Sequence, residues 1–424
     1  MTKTIQYILR FMLGEHLSED ISGLIGYTAD VEQFDNYKIV IVPSTFFKHY
    51  GSPKTQPRMP LDTINSVPFL FGTPHKVRMG DTITVHADLV ASAYFLLSRY
   101  EELINPERDE HGRFLGQYSI MRPYLHKPLV DEYGRLLRSW LRDAGVDVPE
   151  PPQKIKKVYL THDVDSVYKY RSFRQLGGVF LKRPKEILPA LRAFFGKIEN
   201  DPFFTFPFML EENKKVEAET IFFLKSGKYD EFYDRPYYNL QSKDIQQLIA
   251  LIKQSGATIG LHTSYTAGAS PLLAVHENNT LQEAVNEKVT KNRFHWLRST
   301  NPEEMPCLTF AGITDDFTLG YADVAGFRLG TSRPVQHFNL KKKTVSEHLT
   351  LHPLTIMDCT LSNRNYMNMG YEKAFEYATG LIDQTKKNNG ELVLLWHNHI
   401  FAEKTKFDHK KFYTEILNYI KDNQ

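Results

Sequence analysis

Cysteine is nearly missing from this sequence: among 424 residues only Cys307 and Cys359 occur. Two thiols exclude a disulfide scaffold and a Cys-rich zinc module, and they fit a reducing compartment. No apolar run reaches the roughly 18 residues of a membrane span. The opening stretch, MTKTIQYILRFMLGEHLSED, meets Glu15 and His16 too early for the apolar core of a signal peptide, and no small-residue cleavage site follows. The chain therefore reads as full length and cytoplasmic. Nor is there an excess of one charge, since 52 Lys and Arg against 50 Asp and Glu leave +2. A protein held to nucleic acid mainly by phosphate contacts should be basic, so that class is set aside. Also absent are GxGxxG after a strand, GxxxxGKS/T, HExxH, GxSxG and CxxC, which removes the easiest routes to a dinucleotide enzyme, a P-loop enzyme, a zincin and a serine esterase. Nothing in the sequence speaks to oligomeric state.

Aromatics are plentiful, with 28 Phe and 23 Tyr beside 3 Trp. Aromatic faces suit sugar rings, but they serve ordinary cores more often. At roughly 150 residues per domain the length suggests two or three domains. One boundary stands out, where Pro149, Pro151 and Pro152 precede Lys154, Lys156 and Lys157 in a stretch without periodicity. Residues 1–150 are expected to form a smaller α/β domain: KIVIVPS and TITVHAD read as strands, ASAYFLLSRYEELI as a helix with Arg99 and Glu101 at its polar edge, and DEHGRF as a turn. Nothing in this part has metal-ligand or nucleophile spacing, so a packing or positioning role is expected.

Residues 158–424 alternate short apolar strands with helical stretches such as DIQQLIALIKQSG and LQEAVNEKVTKN, which implies a parallel sheet, open or closed into a barrel. Strand candidates are VYLTHDVD, TIFFLKS, TIGLHTS, RFHWLR, a weak one at Gly312–Phe317, GFRLGTS, LHPLTIMD and ELVLLWHNH. In such folds chemistry gathers at the C-terminal ends of the strands. There the sequence releases Asp163 and Asp165, His262, Arg293 and His295, and His397 and His399. A strand-end Asp is usually a turn or helix cap, a lone His is usually a satisfied core group, and Arg328 would simply pair with an acidic neighbour. Convergence favours function. Asp163 and Asp165 share a strand face, and two close carboxylates ionise together only with a cation between or beside them. Carboxylate plus imidazole suits zinc or a similar first-row ion, with one carboxylate holding the metal and the other accepting a proton from the attacking water. The basic stretch KRPKEILPALRAFFGK from Lys182 reads as an amphipathic surface helix, either a solvated face or an anionic-ligand site. DPFFTFPF from Asp201 reads as an aromatic loop that floors a sugar site or anchors itself.

Taken in order, these segments resemble the polysaccharide deacetylases, carbohydrate esterase family four with its NodB-homology domain. THDVD at Thr161–Asp165 resembles the family's first motif, IGLHTSYTAG its second, RFHWLR its arginine-bearing third and LLWHNH its last. GITDDFTLGYADVAGFRLGTSRP and LHPLTIMDCTL look like later segments of a bacterial subgroup. SAYFLLSRYEEL and the following DEHGRF look like that subgroup's uncharacterised amino-terminal domain. The likeness runs from Val158 to Phe401 in the second part. It implies a distorted (β/α) barrel that hydrolyses an N-acetyl or O-acetyl group on a sugar or glycoconjugate with a divalent metal, zinc by expectation. It also implies Asp163 as general base, Asp165 and His262 as metal ligands, Arg293 as the group orienting the base, and His397 as the acid protonating the leaving amine. Arg328, Asp358 and Trp396 are expected at the substrate.

One departure matters. The family's second motif usually carries two metal-binding histidines four residues apart, and here the second position is Thr266. Strand parity nominates His295 as the replacement, with His399 in reserve. If neither reaches, the site is metal-free and the domain only binds sugar. A further alternative on the same barrel is hydrolysis of another non-peptide C–N bond, such as a cyclic amide.

Overall fold

Short aliphatic runs set the sheets in this computed structural model, which describes every residue except Glu15, His16, Ser18 and Lys404, and every side chain except those and Arg174 and Lys182. Glu15 and His16, read above as interrupting an apolar leader, thus lie outside the described residues. In the first part β1 (Ile25–Tyr27), β2 (Ile39–Ile41), β5 (Gly72–Met79) and β6 (Thr82–Ala87) form one sheet in the order β1-β2-β6-β5, parallel except for β5 against β6. β3 (Thr63–Ile64) and β4 (Val67–Pro68) form a separate ribbon. Its turn residues Asn65 and Ser66 take φ values of 48° and 66°, as a two-residue type I′ hairpin requires.

Helices Thr2–Leu13, Leu89–Leu97 and Leu129–Asp143 pack together beside this sheet. Leu89–Leu97 is buried at every position and is N-capped by Asp88, whose carboxylate accepts from Ala91 N at 2.9 Å. The expected continuation through Arg99 and Glu101 does not occur. Arg99 adopts φ 60° and breaks the helix, and Glu101–Ile104 forms a separate turn of helix. Residues 144–156, which include the predicted linker, carry no helix or strand.

The second part is built on one nine-stranded sheet. Its strands are β7 (Lys157–Val164), β8 (Glu219–Leu224), β9 (Thr258–Thr263), β10 (Lys291–Phe294), β11 (Asp315–Asp316), β12 (Val335–Asn339), β13 (Thr344–Leu351), β14 (Ile356–Met357) and β15 (Glu391–Leu395). Their order is β12-β13-β11-β10-β9-β8-β7-β15-β14, and every pair is parallel except β12 with β13. GFRLGTS forms turns instead of a strand. The expected barrel is not hydrogen-bonded shut: β12 and β14 are free edges, and β11 and β14 are two residues each. The sheet still curls, because Tyr159, Phe223, Met357 and Val393 from four strands share one buried cluster with Phe317.

Alternation sorts the residues. Tyr159, Ile221, Phe223, Val393 and Leu395 face into the curl, while Leu160, Val164, Phe222, Leu224, Leu392 and Leu394 face the helices and the larger core. The N-terminal ends of the strands are closed by paired charges. Glu219 meets Lys157 at 2.6 Å and Lys291 at 2.9 Å, and His352 bridges Glu391 and Asp315 at 2.8 and 3.0 Å. Burial opposes charging of His352, but those two carboxylates raise it to about 9.

The two parts are joined through a buried triad. Glu102 accepts from Arg99 Nη2 at 2.5 Å and from Arg328 Nη2 at 2.8 Å. Arg328 also donates to Gly320 O at 2.8 Å, so its guanidinium faces this junction and does not line the cavity at the strand ends, where substrate was expected. Removing one partner of a buried ion pair leaves a desolvated charge, so Arg328→Met should lower the unfolding free energy in urea titrations by about 3–5 kcal/mol. Burial opposes ionisation of Glu102, yet Arg328 and Arg99 hold it at about 2, below the ordinary 4.5. A depressed carboxyl stabilises above its unfolded value and loses that contribution as pH falls through its folded value. The stability gap between the wild type and Glu102→Gln should therefore narrow between pH 4.5 and about 2.

Candidate metal centre

The same alternation that fills the curl with aromatics brings polar groups to its open end. On β7 the inward positions continue from Tyr159 through Thr161 to Asp163, then to Asp165 just past the strand. His262 on β9 lies in register with Arg293 on β10, and His295 follows that strand directly. His397 stands two residues beyond β15. All of these are C-terminal strand ends.

Asp165, His262 and His295 come together, with their ligand atoms all within 4.8 Å of one another. Nε2 of His262 lies 3.2 Å and Nε2 of His295 3.4 Å from Asp165 Oδ1. The opposite nitrogen of each ring is engaged. His262 Nδ1 donates to Arg293 O at 2.9 Å, and His295 Nδ1 donates to Asp234 Oδ1 at 3.0 Å. With the Nδ1 protons so placed, both Nε2 lone pairs face a carboxylate oxygen. With both rings neutral, three electron-pair donors converge, an arrangement that a cation satisfies. Burial disfavours the charged form of His295 and holds its pKa below the ordinary value, which keeps its lone pair available. Burial opposes the charge on Asp165 too, but the facing His295, His262 and His397 hold it well below the usual carboxylate range.

Two further pairs flank the trio. Asp163 lies 3.6 Å from His262 Nε2 and accepts from Arg293 Nη1 at 3.4 Å. Arg293 is fully buried, donates from Nε to Phe317 O at 3.0 Å and lies over the Phe223 ring. On the other side His397 Nε2 is 3.6 Å from Asp165, and its Nδ1 is 3.0 Å from Asp358. Burial opposes both charges of that pair, but each partner sustains the other, with His397 raised to about 10 and Asp358 lowered to about 2. A cavity of about 190 Å³ opens over these groups, walled on its apolar side by Leu297, Ala322, Met357 and Leu395.

Several expectations need correction. Asp358 does not reach substrate: its side chain is fully buried behind His397 and also accepts from His397 N at 2.7 Å and Cys359 N at 2.6 Å. Trp396 does not line the cavity. It faces outward between the inward Leu395 and His397 and packs on Phe412 and Tyr413. Arg328 sits at the junction described above. His399 lines the cavity but stands outside the trio. Thr266 is exposed and away from the cavity. His162, released in the same motif as Asp163, faces outward and is a satisfied core histidine between Trp396 O and Asn213.

Asp234 carried no recognisable signal. It lies in the loop after β8, fully buried, and accepts from Tyr265 N at 2.8 Å besides His295. Lys225 Nζ holds that loop through Asp234 O at 3.0 Å and Pro236 O at 3.2 Å. Arg113, read only as part of a turn, reaches the cavity rim and donates to Trp296 O at 2.8 Å.

Residues 1–145 match a family model described as a family of unknown function, DUF7033. No curated protein matches the chain. Similar solved structures include a protein assigned as a polysaccharide deacetylase from Mycobacterium smegmatis, 16% identical over 64% of this chain and 86% of its own, with a TM-score of 0.41. Puue allantoinase is 11% identical over 66% of this chain and 90% of its own, with a TM-score of 0.41. A mutant of a CE4-family pseudoenzyme with restored enzymatic activity is 14% identical over 64% of each chain, with a TM-score of 0.32.

The carboxylate behind His295 fixes its ring orientation and basicity. Asp234→Asn should therefore weaken divalent-cation binding by about 10–100-fold in a competition titration against a chelating dye, with the melting temperature nearly unchanged.

Proposed function

We propose that this protein is a metal-dependent hydrolase that removes an acetyl group from an N- or O-acetylated sugar or glycoconjugate. The observation that carries this reading is the meeting of Asp165 with two imidazoles whose Nε2 lone pairs face it. Asp165, His262 and His295 would hold the ion, and a carboxylate with two imidazoles is a set that suits zinc. A bound divalent cation supplies Lewis-acid polarisation of the scissile carbonyl and of the attacking water.

The remaining steps belong to the chain's own residues. Asp163 accepts the proton of the attacking water, and Arg293 orients its carboxylate. His397, charged through its bond to Asp358, donates a proton to the departing nitrogen or oxygen. The apolar wall of Leu297, Ala322, Met357 and Leu395 suits a methyl group, and the confined cavity excludes bulk water from the developing oxyanion.

A second reading, sugar binding without turnover, draws on the exposed Thr266 at the place of a missing ligand. Against it stand the Asp163–Arg293 and His397–Asp358 pairs, which a site that merely grips sugar has no need to keep buried.

Elemental analysis separates these readings, because a non-catalytic site should hold no stoichiometric metal. Asp163→Asn should retain the metal and lose about 10²–10⁴-fold in acetate release from acetylated sugars. His295→Ala should lose the metal, and unchanged metal content in that variant removes His295 from the ligand set. Release of no acetate by metal-loaded wild type, alongside cleavage of a cyclic amide, would replace the acetyl substrate with another C–N bond.

A further inference from the structure

Between Asp165 and Asp201 the chain leaves the site and returns to it through a helical hairpin. The stretch from Lys182, expected as one amphipathic helix, is interrupted at Pro184: it begins on the last residue of helix Phe173–Lys182 and becomes helix Ile187–Phe195. The two pack on each other through Val179, Ala190 and Ala193 around Tyr170. Their small core uses the inward faces and leaves others bare. Phe173 is 83% exposed, Leu181 84%, Leu188 80% and Phe195 78%, with Phe180 half exposed. The spacing is helical: Phe173, Phe180 and Leu181 stand at i, i+7 and i+8, and Leu188 and Phe195 at i and i+7. Phe173 meets Phe194 edge-on at 5.1 Å and Phe194 meets Phe195 at 5.0 Å, so the two bare stripes join at that end. Large exposed apolar side chains grouped this way mark an interaction surface.

Charge identifies what covers it. From residue 173 to 197 the sequence has Arg174, Lys182, Arg183, Lys185, Arg192 and Lys197, against the single acid Glu186. A surface of that sign is not self-complementary, which disfavours a second copy of the chain, whereas bulky apolar groups set among cations match an anionic lipid surface. The hairpin is also rooted at the cavity mouth. Asn398, next to His397, donates to Ser166 O and Phe203 O at 2.8 Å each, tying both ends of the excursion beside the site.

We propose that this hairpin docks on the surface of an anionic lipid bilayer, with Phe173, Phe180, Leu181, Leu188 and Phe195 entering the headgroup–acyl boundary and the Lys and Arg side chains meeting lipid phosphates. The cavity mouth then opens beside the headgroup layer, which favours a sugar carried on a lipid over a free one. That last step rests on the hydrolase reading above; the docking does not, and vesicle binding tests it without reference to metal or turnover.

The experiment is flotation of the full-length protein with vesicles of phosphatidylcholine alone and of phosphatidylcholine with phosphatidylglycerol. Binding to the phosphatidylglycerol vesicles is expected. Phe173→Ser/Leu181→Ser/Leu188→Ser and, separately, Lys185→Glu/Arg192→Glu should each lower the bound fraction about tenfold, with unchanged circular dichroism and melting temperature, since all five side chains are exposed. Absence of binding to the anionic vesicles overturns the proposal, as does binding by either variant equal to that of the wild type. A concentration-dependent dimer in sedimentation velocity that the triple variant abolishes also overturns it, because the face would then be covered by a second copy.

Discussion

The site depends on a conflict of charge. Asp163 and Asp165 alternate onto the same inward face at the end of β7, where they are largely withdrawn from water. Like charges so placed raise each other's cost of ionisation unless positive charge is supplied to both. The protein supplies it unequally. Asp163 receives a buried guanidinium from Arg293 on a strand three places away in the sheet order. Asp165 receives two imidazoles whose Nε2 atoms point at it, an arrangement that a cation between them would complete. The division sets the two carboxylates apart: one is held in place by the protein's own cation, and the other lies among donors that could hold an external one.

What makes this division stable is the layer behind the donors. A histidine is a defined ligand only when its other nitrogen is committed. His262 is committed to a backbone carbonyl, a partner that any strand neighbour provides. His295 and His397 are committed to buried carboxylates, Asp234 and Asp358, and the consequences diverge with position. Asp358 faces His397 with both oxygens and is joined by the nearby negative charges of Asp165 and Asp163, so that imidazole is kept charged. Burial holds the pKa of His295 below the ordinary value, and the nearby Lys225 adds to that, against the pull of Asp165 and Asp234. Two Asp–His pairs in one cavity thus differ: the charged form of one imidazole is favoured and that of the other disfavoured.

How much of this was legible in the sequence follows from which residues obey strand parity. Asp163, His262 and Arg293 sit on short apolar strands whose period of two fixes their direction, Asp165 and His397 continue that period just past their strands, and the nine-stranded sheet lines those strands up. The same rule, applied to ELVLLWHNH, places Trp396 opposite to His397 and would have removed it from the substrate candidates. Arg328 and Asp358 failed for another reason. Both are charged groups in turns or at a helix start, and sequence alone does not tell a buried charge that faces a protein partner from one that faces substrate. Asp234 was invisible because its loop has no period at all, and its importance arises only through contact with His295, 61 residues away. The open edge at β14 was equally unreadable, since that strand is two residues long, too short for alternation to show.

The first part of the chain bears on the site through the turn that carries His295. Trp296 and Leu297 follow it with φ values of 64° and 52°, a left-handed conformation that costs a bulky residue about 1–2 kcal/mol each. Such a turn persists only where its surroundings over-determine it. Much of what surrounds it comes from the DEHGRF turn of the first part. Asp109 organises that turn, accepting from Arg113 N at 2.8 Å and His111 N at 3.0 Å. Arg113 then donates to Trp296 O, the His111 ring stacks on the Trp296 ring at 4.6 Å, and Arg298 returns a bond to His111 O at 2.9 Å. Arg99, itself at positive φ, reaches Ser299 Oγ at 2.9 Å just beyond. The strand thus ends abruptly after Phe294, and the chain doubles back under a clamp that β10 does not itself provide. Without that clamp His295 would gain the freedom to relax toward an ordinary extended conformation, and its Nε2 would no longer be held at Asp165. The amino-terminal part is therefore a structural component of the candidate centre, even though it contributes no donor atom to the trio.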